Sequence, residues 1–212
     1  MIERILPAGV ATSAAYDDPP GAVLLAEEEP AVARAVDKRR REFTTVRWCA
    51  RRALADLGLP PVPIVPGERG APRWPDGVVG SMTHCDGYRA AAVARAGDIA
   101  ALGIDAEPHG PLPEGVLEAI AREEELPLLA ELARTSPETH WDRLLFCAKE
   151  AVYKAWFPVT RRWLGFEDAT LVLGPDGTFT AGILVADTPF ETFTGRWTAA
   201  DGLITTAISV PR

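Results

Sequence analysis

Apolar residues along this chain recur first at helical and then at strand spacing, and the alternation happens twice. Between Val32 and Leu57, the positions Val36, Phe43, Val46, Ala50, Leu54 and Leu57 repeat at the three-to-four-residue period of an amphipathic helix. Gly58 supplies a stop, and Pro60, Pro61 and Pro63 prevent continuation. Short apolar runs follow at Val78–Met82, Tyr88–Ala94 and Ile99–Ile104. They are punctuated by Asp76-Gly77, Asp86-Gly87 and Gly97-Asp98, the pattern of an antiparallel meander. Past a loop at Pro108–Pro113, two modest helices fill 114–134, with Pro127 marking a break. A longer helix is expected over Glu138–Trp156, with Trp141, Leu144, Leu145, Ala148, Val152 and Ala155 on its apolar side and Pro158 ending it. Thr170–Leu173, Phe179–Val185, Phe193–Thr198 and Leu203–Val210 then read as strands.

No fixed-period repeat is present, yet the order helix, strands, helices, strands predicts an α+β chain of two half-size units meeting near residue 103. The expected division is 1–102 and 103–212. Residues 7–30 are rich in Ala, Pro and acid, and Asp17-Asp18-Pro19-Pro20-Gly21 marks a turn there. The 47% of apolar residues is enough for a core that needs neither disulfides nor a structural metal. Cys49, Cys85 and Cys147 form no CxxC pair, which fits a reduced, cytoplasmic chain. The first residues lack a signal-peptide pattern, and no run of about 18 apolar residues predicts a membrane span. A formal net charge of −8 argues against sequence-independent nucleic-acid binding.

Positive charge is nevertheless gathered locally. The first helix carries Lys38, Arg39, Arg40, Arg41, Arg47, Arg51 and Arg52. At about 100° per residue, Arg47 and Arg51 each lie within roughly 20° of Arg40. Such a face reads as a solvated surface, a nucleic-acid patch or an anion pocket. Its arginines suit bidentate phosphate binding.

Other groups complement it. Asp105 and Glu107, two apart in an extended segment, point the same way and suit Mg²⁺, although an acidic surface turn gives the same pattern. Glu150 and Lys154 form either an i,i+4 surface pair or, with Lys149, part of a metal–phosphate site. Thr83 and His84 end a strand, where His84 is a phosphate contact or a structural histidine. A Ser81/His84/Asp86 triad is disfavoured because no GxSxG elbow is present, and His109 and His140 lack zinc spacing. Together with the basic loop Gly67-Glu68-Arg69-Gly70, these are groups that a phosphorylated cofactor needs.

Gly103-Ile104-Asp105-Ala106-Glu107 followed by Phe146-Cys147-Ala148-Lys149-Glu150-Ala151-Val152-Tyr153-Lys154 resembles the signature of 4′-phosphopantetheinyl transferases of the surfactin-synthetase-activating and enterobactin type. The run Trp141–Phe157, the stretch Trp163–Asp168 and the segment Ser81–Tyr88 are most similar to the actinobacterial branch, and the likeness covers residues 34–210. The resemblance implies two pseudo-twofold-related halves, each a small antiparallel sheet packed with a long helix, and an active site in the cleft between them. It implies transfer of the phosphopantetheine arm of coenzyme A to a serine of apo acyl or peptidyl carrier proteins. Adenosine 3′,5′-bisphosphate would be released, by a monomer that needs Mg²⁺ or Mn²⁺.

Asp105, Glu107 and Glu150 would be the metal ligands. Lys154, with Lys149 as a second candidate, would meet the pyrophosphate; Thr83 and His84 would meet cofactor phosphates. Arg39 and Arg47 would surround the 3′-phosphate and Arg69 the adenosine, with Arg40 the wheel's alternative to Arg39. Pro66 stands where some relatives carry a lysine. Glu150, or a water on the metal, would take the serine proton. Apolar residues around 112–132 are expected to receive the carrier. The competing readings are a coenzyme A- or nucleotide-binding module without catalysis and a nucleic-acid binder.

Overall fold

The computed structural model describes residues 1–212 as two antiparallel sheets, each crossed by one long helix. The first unit contains β1 (Ala11–Ala15), α1 (Asp37–Asp56), β2 (Val78–Cys85) and β3 (Tyr88–Arg95), with sheet order β1-β3-β2. The second begins with β4 (Ile99–Pro108) and continues through α2 (Val116–Ile120), α3 (Leu126–Thr135) and α4 (Trp141–Thr160). The strands β5 (Ala169–Leu173), β6 (Thr178–Ile183), β7 (Thr192–Ala200) and β8 (Leu203–Pro211) complete a sheet of order β4-β8-β7-β6-β5. Both units use one plan. A first strand precedes a 20-residue helix, and the last strand returns antiparallel to pair with the first, β3 on β1 and β8 on β4.

The two sheets meet where the edge strands β2 and β4 run side by side. Hydroxyls make the joint: Ser81 Oγ accepts the Ile104 N–H at 3.0 Å and Thr83 Oγ1 accepts the Ala106 N–H at 3.1 Å. These bonds satisfy edge amides that would otherwise be buried without partners.

β3 is alanine-rich and buried on both faces. Ala90, Ala92 and Ala94 pack with Met1, Ile2 and Ile5, while Ala91 and Val93 lie under Cys49, Ala50, Ala53 and Leu54 of α1. In the second unit Leu144, Leu145, Val152, Trp156 and Phe157 of α4 bury against Leu171, Phe179, Phe193, Ile204 and Ile208. Each fully buried side chain of this size contributes about 1.5–3 kcal/mol over its exposed state.

Several boundaries differ from the apolar pattern. α1 starts at Asp37, not Val32: Glu29–Val32 is a 3₁₀ turn, and Val36 is the extended N-cap, 74% exposed. Its end is as expected. Gly58 sits at φ +73°, its N–H reaches Ala55 O, and the Leu59 N–H reaches Leu54 O, a Schellman close. α4 starts at Trp141 and runs through Pro158 to Thr160, so the proline does not end it. Lying in the last turn, Pro158 forfeits a single hydrogen bond, and Arg161 at φ +56° closes the helix on Phe157 O. β4 runs on past Ile104 through Asp105 and Glu107 to Pro108. β1 has no counterpart in the apolar pattern, because its residues are Ala, Thr and Ser without alternation.

Candidate active site

Alternation along β4 turns Gly103, Asp105 and Glu107 to one face, the face that α4 crosses. Gly103 sets how closely. A Cβ built there would lie 2.1 Å from Ala151 O and 2.7 Å from Ala155 N, so only glycine permits this approach of strand to helix. Glu150 and Lys154, a turn apart on α4, each immediately precede one of these two contact residues. Lys154 Nζ donates to Asp105 Oδ1 at 2.6 Å, and Thr83 Oγ1 donates to the same oxygen at 3.0 Å. Asp105 is thus held by β2, β4 and α4 together.

This point opens into a cavity of about 450 Å³ between the two units. α1 contributes Arg39, Phe43, Val46 and Arg47; β2 contributes residues 80–84; α4 contributes Glu150, Tyr153, Lys154 and Phe157; the Arg69 loop closes one side. A smaller apolar pocket of about 180 Å³ shares Glu150 and Tyr153 with it and is lined by Trp163, Leu164 and Phe166.

The α1 end of the cavity is cationic. Arg47 is 4% exposed, and its Nε and Nη1 donate to the carbonyls of Ile64 (2.9 Å) and Phe43 (3.4 Å). The guanidinium stands 3.1 Å over the Phe43 ring. No carboxylate pairs with it, and burial pushes its pKa down, with Arg39 and Arg51 adding to the effect against Glu28. An anion would relieve that strain on the charge. Arg39 Nη1 lies 2.6 Å from His84 Nε2, and Glu42 stands 3.6 Å from His84 Nδ1. Burial, then Arg39, lowers the His84 pKa, so the neutral ring accepts from Arg39. Arg40, the wheel's choice, turns outward to pair with Glu29, and Arg51 pairs with Glu28. Arg69, at φ +50°, places its guanidinium 5.1 Å from the Trp163 ring.

The α4 end is acidic and short of positive charge. Burial and the Asp105 carboxylate push Glu107 up, against the pull of Arg143; the same two causes raise Glu150, against Lys154. Asp105 Oδ2 is buried without a hydrogen-bond partner. Burial opposes the Lys154 ammonium, but Asp105 and Glu150 outweigh it and hold its pKa above the ordinary lysine value. Asp105, with its second oxygen unpartnered, and Glu150 therefore offer hard oxygens that fit a divalent cation, two buried carboxylates sharing the single ammonium of Lys154. Glu107 is the divergent member: its Oε2 accepts from Arg143 Nη1 at 3.0 Å, and no three metal-capable side chains converge on one point.

Two expectations need correction. The Lys149 ammonium is not in the cleft: it pairs with Glu125 at 2.9 Å, both side chains 2% exposed, and donates to the carbonyls of Phe166 and Ala169. Lys149 borders only the smaller pocket, and its ammonium turns away from the cleft to these partners. Thr83 lines the cleft, but its hydroxyl is spent on Asp105 and the Ala106 N–H, which makes it a positioning residue. The site also has an unforeseen member. Tyr153, one turn from Glu150 on the same face, presents a buried hydroxyl with no partner; the i,i+3 spacing is its sequence signal.

The chain is similar to known proteins over nearly its whole length. Residues 27–94 match the family model for the 4′-phosphopantetheinyl transferase N-terminal domain, and residues 101–207 match that for the 4′-phosphopantetheinyl transferase superfamily. The 4′-phosphopantetheinyl transferase Svp of Streptomyces mobaraensis is 56% identical over 99% of this chain and 89% of its own length. PptT of Mycobacterium tuberculosis is 52% identical over 98% of this chain and 97% of its own. Npt of Nocardia iowensis is 52% identical over 99% of both chains. No helix is long and apolar enough to cross a membrane.

Proposed function

The chain belongs to the 4′-phosphopantetheinyl transferase superfamily, enzymes that move the phosphopantetheine arm of coenzyme A onto carrier proteins, and from that premise we propose a divalent-metal-dependent reaction that releases adenosine 3′,5′-bisphosphate. The protein would act as a cytoplasmic monomer on apo acyl and peptidyl carrier domains. One observation carries this reading: a single cavity has an unpaired buried arginine at one end and, at the other, Glu150 and Lys154, the latter bonded to the buried Asp105. That is the charge order of a nucleotide 3′-phosphate followed by a pyrophosphate.

Arg47 and Arg39 hold the 3′-phosphate, with His84 beside them and Arg69 over the nucleoside. Lys154 donates to pyrophosphate oxygens. The uncharged pantetheine arm fits the apolar pocket lined by Trp163, Leu164 and Phe166, which opens beside Glu150. Asp105 and Glu150 would hold Mg²⁺ or Mn²⁺, joined by Glu107 once its carboxylate leaves Arg143. When bound, the metal would neutralise charge on the pyrophosphate and on the leaving bisphosphate. A carrier serine delivered between the cleft and the apolar pocket meets Glu150, which accepts the hydroxyl proton. The serine oxygen then bonds to the phosphorus bearing the arm. The bond from that phosphorus to the bridging oxygen breaks, and its electron pair departs with adenosine 3′,5′-bisphosphate beside Lys154.

The test is mass spectrometry of an apo carrier protein after incubation with the enzyme, coenzyme A and Mg²⁺. A gain of one phosphopantetheine unit and stoichiometric bisphosphate are expected, both lost on exhaustive chelation and in a folded Glu150→Gln variant. Transfer that survives chelation would remove the metal from this reading. Wild-type turnover in the variant would remove Glu150.

A further inference from the structure

Glu28 is 0% exposed although it lies in a segment that is otherwise largely at the surface, and no step above uses it. Its carboxylate is fully engaged. Oε2 accepts the Leu25 N–H at 2.9 Å, Oε1 accepts the Ile64 N–H at 2.8 Å, and Arg51 Nη1 donates to both oxygens at 2.8 and 3.0 Å. The Ile64 peptide is the link to the cleft: its N–H goes to Glu28, and its carbonyl accepts Arg47 Nε at 2.9 Å. Arg51, one turn beyond Arg47 on α1, also ties down Val23 O. The segment that Glu28 anchors continues directly into Ala31, Val32 and Ala35, which line the cavity. One buried acid therefore fixes the carbonyl that aims Arg47, the helix turn beyond it and the adjacent wall. Its carboxylate contacts Arg51, so Arg47 has no carboxylate in direct contact.

We infer that Glu28 is a positioning residue that sets the preference of the cleft for a nucleotide bearing a 3′-phosphate over one lacking it. The inference rests on the reading that Arg47 meets that phosphate. Glu28 touches no substrate. It acts by holding the Ile64 carbonyl and Arg51 so that the guanidinium of Arg47 presents its free N–H groups to the cavity. With a glutamine there, the bond to Arg51 loses its charge and one of the two buried N–H groups loses an acceptor. The Ile64 peptide can then swing, and Arg47 with it.

The experiment compares coenzyme A with 3′-dephospho-coenzyme A as co-substrate in steady-state transfer to one apo carrier. Glu28→Gln is expected to raise KM for coenzyme A about tenfold while KM for the dephospho compound and kcat stay within about twofold of wild type. Glu28→Asp, which keeps the charge but retracts it by one methylene, is expected to shift the same ratio less, and it answers the question if the glutamine variant does not fold. Glu125→Gln is the matched control, a glutamate equally buried in the other half. It is expected to lower the melting temperature while keeping the wild-type ratio of KM values. A parallel rise in both KM values, an unchanged coenzyme A KM in folded Glu28 variants, or an equal shift in Glu125→Gln would each overturn the inference. Wild-type enzyme that does not distinguish the two co-substrates would instead overturn the assignment of the 3′-phosphate to Arg47, and this inference with it.

Discussion

Arg47 on α1 and Lys149 on α4 occupy comparable places in the two halves. Each is buried on the long helix of its unit, and each donates to two backbone carbonyls. A buried glutamate from the segment before the helix stands close by in both cases, Glu28 in the first half and Glu125 in the second. The second half closes its account: Glu125 pairs with Lys149 and also takes the N–H groups of Arg122 and Leu171. In the first half the glutamate is taken by Arg51, and Arg47 is left facing the cavity without a carboxylate. One plan used twice therefore yields a sealed pair in one half and, in the other, a spare cation that faces the cavity.

The largest expected effect breaks the sealed side. Lys149→Met leaves Glu125 buried without its cation and should cost about 3–5 kcal/mol of unfolding free energy. KM for coenzyme A in the folded fraction should stay at the wild-type value. Urea denaturation and steady-state kinetics on the same preparation read both. A change in KM with unaltered stability would return Lys149 to the phosphate site.

Next in size is Gly103→Ala, which acts on the joint between the halves. The added methyl meets the backbone of Ala151 and Ala155, which can move only if α4 lifts from β4. A loss near the upper end of about 1–3 kcal/mol is expected. Transfer should fall further than stability does, because Lys154 is carried away from Asp105. A variant as stable and active as wild type would show that the strand-to-helix distance is not what assembles the site.

Arg47→Met reverses the pattern of Lys149→Met. It removes a buried cation that has no acid partner, so the stability change should be small, the lost carbonyl bonds and ring contact being offset by relief of desolvation. Coenzyme A binding should lose about 1.5–3 kcal/mol, a roughly tenfold to hundredfold rise in KM. Differential scanning calorimetry and KM together decide it. A strong loss of stability with normal KM would make Arg47 the first half's equivalent of Lys149.

Much of this arrangement was legible in the chain, and the parts that were not share a cause. Apolar periodicity located α1, α4 and the strands of both sheets, since those elements bury one stripe or face against a core. It missed β1, whose small residues pair with β3 without alternating, and it misread Val36 and Pro158, which lie at helix ends where periodicity says least. The acids Asp105, Glu107 and Glu150 and the lysine Lys154 stood out by type and spacing. What the sequence could not give was which partner each side chain takes. Glu107 is drawn to Arg143, Thr83 is spent on Asp105, and Lys149 is drawn to Glu125. Glu28 carried no signal at all, being one acid among several in a stretch of Ala and Pro.

The smallest expected effect tests the same point within a single helix. Arg39 and Arg40 are adjacent, and a helical wheel places Arg40 in line with Arg47. The side chains depart from that line because Glu29 lies within reach of Arg40, while His84 Nε2 offers Arg39 an acceptor at the cavity mouth. The Arg40–Glu29 pair is solvent-exposed, so Arg40→Ala should change stability by less than about 1 kcal/mol and leave KM for coenzyme A unmoved. Arg39→Ala removes a cation from the cavity itself and should raise that KM about threefold to tenfold, less than Arg47→Met because Arg39 is exposed and its charge is screened by water. Raising the salt concentration should narrow the gap between Arg39→Ala and wild type more than the gap between Arg47→Met and wild type, since screening reaches the exposed charge first. If Arg40→Ala raised KM as far as Arg39→Ala, helix geometry rather than the choice of partner would be deciding which arginine serves the cleft.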